Sequence, residues 1–288
     1  VSTASATCFR PQVLPEDRDY FDLYAKTCEY APSDRNYRKS VEWNLSAIAR
    51  GQCYADAIEQ YMPLRGKRAL DIGCGSGGVC IAFAQRGALC TGIEPAEYRL
   101  EWAVARTRGH QVQATLISKK LEDTDFPDGA FDVITATDVL EHVEDYRIVM
   151  RKMCDLLAPG GLIFATVPNG FHVRNILAEN HTGLFGVLLL PMKWRPFYVV
   201  NVRKAMKSHH VSYFPPCHTL VAICQSRGLV VLEPVEIAKL SHPEGIRRRW
   251  LQTVVHALLR LFPFWPVYHR LISWFLLPPT YTLVAQKR

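Results

Sequence analysis

The chain has 288 residues, of which 49% are hydrophobic and 21% charged, ordinary globular proportions that exclude disorder as the default. Its length suits one large domain or one domain with an elaboration. The formal charge of +7 is unevenly spread: residues 245–288 hold seven Lys/Arg and no acid, residues 171–210 hold six Lys/Arg against Glu179, and the remainder balances at −5. Two basic segments on a mildly acidic chain suit an anionic partner, or solubility alone. Nine cysteines stand at positions 8, 28, 53, 74, 80, 90, 154, 217 and 224, an odd count without a CxxC pair. They read as reduced, mostly buried thiols in a cytosolic protein, which excludes a disulfide framework and a zinc site. No N-terminal stretch has a signal-peptide layout.

The first dozen residues have no periodic pattern and read as loose. Residues 16–62 read as helical, with an apolar stripe through Val41, Leu45, Ile48, Tyr54, Ile58 and Tyr61 and Gly51 as a break. From Arg68 the pattern changes. "RALDIG" predicts a strand, "GVCIAFAQRG" a helix ended by Gly87, "ALCTGIEP" a strand, and "AEYRLEWAVARTRG" a helix ended by Gly109. "VQATLI" and "FDVITAT" predict strands, "VEDYRIVMRKMCDLLAPGG" a helix, and "LIFATVPN" a fifth strand. Residues 171–210 interrupt the rhythm. Then come a helix in "PCHTLVAICQSRG" ended by Gly228, a strand in "LVVLEPVEIAKL", and a last strand in "TYTLVAQKR". Alternation of this kind implies an α/β fold with a mostly parallel sheet covered on both faces.

The most informative stretch is "LDIGCGSGG", Leu70 to Gly78. A GxGxG loop directly after a first strand lets the backbone approach a ligand at the sheet's carboxyl edge. Nucleotide-binding dehydrogenases carry a similar loop, so it is weak alone. Asp71 precedes the first glycine. Glu94 ends the second strand, placed to accept hydrogen bonds from two ribose hydroxyls, a role that NAD would also suit.

As a set, "ALDIGCGSGG", "GIEP", "FPDGAFDVI", "DVLEHV" and "LLAPGGLIFATVPN" resemble the class I S-adenosylmethionine (SAM) methyltransferases, in family order over about residues 66–170. "HHVSYFPPCHTLVAICQSRGL" resembles the family's segment before its sixth strand. "DVLEHV" followed by an inserted segment most resembles the ubiquinone-pathway O-methyltransferases. The resemblance implies a Rossmann-like seven-stranded sheet: an N-terminal helical extension (1–65), a SAM-binding core (66–170), an insertion or acceptor lid (171–210), and the rest of the core with an amphipathic insertion at 245–279 (211–288). It also implies roles. Gly73, Gly75 and Gly77 would shape the loop around the methionine part of SAM, and Asp71 would orient that loop. Glu94 would hold the ribose, Leu121 would offer backbone to the adenine edge, and Thr137 would lie beside the methionine group. The position before Leu121, often acidic in the family, is Lys120 here, which puts the usual adenine amino contact in doubt. Arg50 is the candidate for the SAM carboxylate, or a solvated helix residue.

A hydroxyl acceptor must lose its proton as it takes the methyl group, leaving S-adenosylhomocysteine (SAH). If "DVLEH" is helical, Asp138, Glu141 and His142 project from one face. His142 is then a general base, with Glu141 beside it, or the three hold Mg²⁺, a role the closest family members imply. The bland alternative is that Glu141 and His142 only order the loop. His209 and His210 are candidates over the acceptor pocket, or structural. The fourth strand ends in "TATD", without the Asn/Asp-Pro-Pro-aromatic stretch of nucleic-acid amino-methylating enzymes, and no RNA-binding signature appears.

Gly245–Pro279 is apolar with five arginines. Arg260, Arg270 and prolines 263 and 266 interrupt it, so it fails as a membrane span. Three readings stay open: a helical cap packed on the sheet or on a second copy in a homodimer, an interfacial surface at a membrane, and a lid over a large apolar substrate. The insertion "GLFGVLLLPMKWRPFYVV" shares its basic-aromatic character. The function read from the sequence is O-methylation of a hydrophobic or lipid-linked acceptor. A polar natural product or sugar is the enzymatic alternative, and a non-catalytic membrane-surface or partner-binding protein is the alternative of another class.

Overall fold

The computed structural model describes residues 11–28, 30, 35–170, 172–177, 184–203, 214–232 and 280–288. Seven strands, β1 (Arg68–Ile72), β2 (Leu89–Ile93), β3 (Thr115–Ile117), β4 (Phe131–Thr137), β5 (Leu157–Pro168), β6 (Leu229–Leu232) and β7 (Thr280–Lys287), form one sheet in the order β3-β2-β1-β4-β5-β7-β6. β1 pairs with β2 and β2 with β3 in parallel, with Asp71 opposite Gly92. β7 runs antiparallel to both β5 and β6. The expected mostly parallel α/β sheet is therefore present, and its strand order reverses at β1, where doubly wound sheets hold their ligands. The helices are α1 (Arg18–Thr27), α2 (Arg35–Leu45), α3 (Ala47–Ile58), α4 (Gly78–Gln85), α5 (Glu97–Gly109), α6 (Tyr146–Leu156), α7 (Val173–Leu177), α8 (Arg195–Phe197) and α9 (Cys217–Ser226). Two compact units, residues 1–134 and 135–288, divide within β4.

In the first unit, Gly51 does not break the helix; it lies inside α3. A Cβ there would stand 2.8 Å from the Gly78 carbonyl oxygen and 2.9 Å from the Ala82 Cβ, so the position serves the close approach of α3 to α4. α5 ends at Gly109, as expected, although the left-handed residue that follows the helix is Gln111 (φ 54°) and not the glycine. Gly109 is required because any side chain would run into the Glu16 carbonyl.

The N-terminal helices are held to α5 by a largely aromatic hydrophobic cluster of Tyr20, Tyr24, Tyr37, Val41 and Trp102, with the Tyr24 and Trp102 ring centroids 5.2 Å apart. Within reach of it lies a buried charge. Arg106 of α5 is fully buried. Its Nε and Nη2 donate to the two Asp17 oxygens at 2.8 and 3.0 Å, and its Nη1 and Nη2 donate to the Asn44 and Leu45 carbonyls at 3.0 and 3.1 Å. Its Nη1 also donates to Ser76 Oγ at 3.1 Å. All five guanidinium N–H groups are thus used. Asp17 is braced from another side by His110 Nε2 at 2.9 Å.

In the second unit, α6 starts at Tyr146, after the predicted "VED", because Asp145 caps it by accepting from the Arg147 amide at 2.8 Å. Extended backbone begins at Leu157, so the "APGG" predicted to close the helix belongs to β5. Lys287 Nζ reaches from β7 to the Cys154 and Leu157 carbonyls at 3.0 and 2.7 Å and satisfies the end of α6. α9 is followed by Gly228 at φ 76°, as expected. The described parts of the insertion are α7 and a chain of short helical turns over 187–202, the latter built around Leu184, Val187 and Val199. His209, His210 and the whole of Gly245–Pro279 lie outside the described residues. Among the described residues, no helix is long and apolar enough to cross a membrane.

Asp17 gives this fold a pH signature. Burial raises its pKa, but the hydrogen bonds and charges of Arg106 and His110 outweigh that and hold it below the ordinary 3.8. A depressed carboxylate stabilises fully above its unfolded pKa and loses that contribution as pH falls through the lower folded value. Urea midpoints measured as pH descends below 3.8 should therefore drop in the wild type, whereas Asp17→Asn, destabilised throughout, should lack this step. Parallel curves for the two proteins would contradict the pairing.

Candidate functional site

β1 brings Asp71, 2% exposed, to the entrance of the glycine loop, where Cys80 Sγ points at its Oδ2 from 3.8 Å. The loop then turns through three left-handed glycines, Gly73 (φ 66°), Gly75 (φ 51°) and Gly77 (φ 75°), conformations that cost other residues about 1 kcal/mol or more. The glycines differ in what they face. A Cβ on Gly77 would press on Ala103 of α5 at 3.2 Å, so that position seats the loop. Among the described residues, a Cβ on Gly75 would meet only the Gly73 carbonyl oxygen, at 3.9 Å, so they leave the Gly75 side of the loop open to a ligand.

Glu94 follows β2 directly. Its buried carboxylate accepts from the Gly75 amide at 3.1 Å and from the Ala96 amide at 3.0 Å. The structure thus brings Glu94 and Gly75 together at the carboxyl ends of β1 and β2. Leu121 is buried and opens the turn Leu121–Asp123, where its carbonyl accepts from Thr124 Oγ1 at 2.7 Å. Lys120, before it, is exposed. Arg50 lies on α3 with its guanidinium 3.7 Å from the Trp43 ring, donating to the Trp43 carbonyl at 2.6 Å and to Ser46 Oγ at 2.7 Å. An open loop flank beside a carboxylate that only accepts hydrogen bonds fits the uncharged, hydroxyl-bearing adenosyl part of SAM.

In the second unit, Thr137 ends β4, half-buried. The next residues are not helical. Asp138 is left-handed (φ 54°), and residues 140–142 form a turn. The Asp138 amide donates to the Thr166 carbonyl at 3.1 Å, and Thr166 Oγ1 donates to Asp138 Oδ1 at 3.1 Å, which ties this turn to β5. Glu141 is fully buried, while the His142 side chain is 39% exposed, and His142 Nε2 lies 4.0 Å from Glu141 Oε1, beyond a hydrogen bond. The expectation of one helical face bearing Asp138, Glu141 and His142 is therefore corrected. A turn with a left-handed start sends consecutive side chains to different surroundings. Among the described residues, no three His, Cys, Asp or Glu side chains are grouped to hold a metal ion, so the Mg²⁺ set finds no support.

Sequence reasoning missed Ser76 and Arg106. Ser76 sits inside the loop, buried, and receives the Arg106 hydrogen bond. Its acceptor role depends on a partner thirty residues away, which no local pattern announces.

Comparison with known proteins agrees with this geometry. A family model described as "Methyltransferase domain" matches residues 47–233. The ubiquinone biosynthesis O-methyltransferase of Coxiella burnetii is 34% identical over 115 residues, 40% of this chain and 49% of that protein. The protein of the same name from Pseudomonas aeruginosa is 41% identical over 118 residues, 39% of this chain and 49% of that one. The chain thus spans about half the length of these curated relatives. A crystal structure of an S-adenosylmethionine-dependent methyltransferase from Mesorhizobium loti superposes with a TM-score of 0.54 at 17% identity, over 83% of this chain and all of that one, and supports the fold.

Gly75→Arg should fill the open flank of the loop and abolish SAH binding measured by calorimetry. Glu94→Ala should weaken it by about a hundredfold or more, the scale of two hydrogen bonds to a charged group. SAH affinity retained by the Gly75 variant would refute the site.

Proposed function

The chain belongs to the class I SAM-dependent methyltransferases, and on that premise we propose that it methylates the hydroxyl oxygen of a hydrophobic or lipid-linked acceptor, such as a polyprenyl phenol. SAM, when bound, supplies a methyl carbon on a sulfonium sulfur, which keeps the bonding electron pair as the acceptor oxygen forms its bond to that carbon. What remains for the protein is alignment and the proton. Positioning alone can contribute roughly 7–11 kcal/mol in the best cases. The glycine loop and Glu94 are the positioning groups for the cofactor, and Arg50 on α3 is the cation suited to its carboxylate. His142, exposed on the turn after β4, is the group suited to take the acceptor proton.

The observation that carries the acceptor class is the surface of residues 184–203. Phe185, Leu189, Trp194, Phe197 and Val202 are exposed there, Lys193 and Arg203 stand exposed among them, and the segment contains no acid. A monomeric soluble surface seldom keeps so many large apolar side chains together without a partner. Basic residues among exposed aromatic ones suit the boundary of an anionic bilayer, where a lipid-linked substrate resides. The names of the curated relatives, which act in ubiquinone biosynthesis, support the same class.

Methyl-labelled SAM incubated with the protein and an extract of the cells that make it should place label in the organic phase. His142→Gln should transfer about a hundredfold less, the lower range for general base catalysis. Label confined to the aqueous phase would move the acceptor to sugars or polar natural products, and SAH binding without transfer would favour the non-catalytic alternative. The surface has its own check: co-sedimentation with anionic phospholipid vesicles, weakened by Trp194→Asp. Equal binding by both proteins would remove residues 184–203 from the membrane contact.

A further inference from the structure

We propose that Arg106 is a positioning residue for the cofactor: through Ser76 it couples the helices of residues 15–27 and 35–45 to the glycine loop, so that cofactor in the loop and docking of those helices reinforce one another. The inference rests on the reading of the glycine loop as the cofactor site. Arg106 itself is fully buried in α5, so it acts through the groups it holds.

Three separate pieces of chain meet on its guanidinium. Asp17 comes from the turn before α1, the Asn44 and Leu45 carbonyls come from the end of α2, and Ser76 Oγ comes from the loop. Tyr20 of α1 lies under the same cation, 4.5 Å from its ring centroid. Burial pushes the Tyr20 phenol up to about 12 against the lowering effect of the Arg106 charge, so the ring is neutral beneath the guanidinium. The last carbonyls of α2 carry the negative end of a helix dipole, so Arg106 also neutralises that terminus.

Ser76 stands between Gly75 and Gly77, both at positive φ. A loop so rich in glycine has many unbound shapes and loses much entropy when it adopts one. The hydrogen bond from Arg106 fixes Ser76 against α5, and Gly77 is already packed there on Ala103. The Gly75 amide is fixed from the opposite side by Glu94. One charge-assisted bond on each side of the open flank holds it in one shape. Because coupling between two binding events is reciprocal, a ligand that needs this shape must also strengthen the contacts of Asp17, Asn44 and Leu45 with Arg106.

Ser76→Ala cuts the link at the loop and leaves the Asp17 pair and the α2 carbonyls in place. Two readouts separate coupling from mere stability. The SAH dissociation constant should rise about tenfold in Ser76→Ala, the scale of one bond to a charged group, and return toward the wild-type value in Ser76→Thr, which keeps the hydroxyl. In the wild type, SAH should slow amide hydrogen exchange in residues 35–45, and in Ser76→Ala this protection should disappear even at saturating SAH. Arg106→Lys, which keeps a charge opposite Asp17 but cannot span all three segments, should show the same loss of protection. A wild type that binds SAH, with Ser76→Ala binding equally well or protecting residues 35–45 equally, overturns the coupling alone. A wild type that binds no SAH overturns the cofactor reading and the coupling with it.

Discussion

A guanidinium removed from water must find a partner for each of its N–H groups and a countercharge, or it costs several kcal/mol. Arg106 meets that demand only when residues 15–17, the end of α2 and the glycine loop are all in place around α5. The exposed pair Arg38–Glu42, one turn apart on α2, is a useful contrast, since such pairs contribute less than about 1 kcal/mol and specify little. The buried network ties three segments together in a way the exposed pair does not. Losing Asp17 strands a charge in the interior and losing Ser76 strands one N–H group, so the first unit's N-terminal helices and its ligand loop support one another. The aromatic cluster around Trp102 supplies apolar area to the same interface, while Arg106 determines its register.

The loop inherits its shape from two sides. Ser76 and Gly77 fasten it to α5, and Glu94 fastens the Gly75 amide to the end of β2. Among the described residues, what remains uncovered is the flank of Gly75, where a ligand can approach the backbone closely. Glu94 is therefore both a latch on the loop and the acceptor offered to a ribose. A ligand hydroxyl adds to this carboxylate's hydrogen bonds, because an ionised carboxylate has about four acceptor sites and two are used by the Gly75 and Ala96 amides.

The alternation of short apolar strands with helices closed by glycine was readable from the sequence, because each such signal is local. Gly87 and Gly228 mark helix ends for this reason. Gly51 looks identical in sequence and means something else, since it admits the backbone of α4, while Gly109, which does end α5, also admits the Glu16 carbonyl. Only tertiary structure separates a stop signal from a close approach. The stretch "DVLEH" has helical spacing, yet the bonds between Asp138 and Thr166 hold its start in a left-handed turn, a long-range override of a local pattern. Asp71, the three loop glycines and Glu94 could be found because their order along the chain is itself the signal. Arg106 could not. It sits on the buried face of α5 with Trp102 and Ala103, and its countercharge lies 89 residues earlier.

The central claim is that the open flank of the glycine loop, with Glu94 beside it, is an adenosyl-cofactor site. Calorimetric titration of the wild-type protein with SAH, run in parallel with NAD, tests this most directly. Saturable binding of SAH at one site per chain, with no heat of binding for NAD, is the expected result. Binding of NAD in preference to SAH, or of neither, would contradict it.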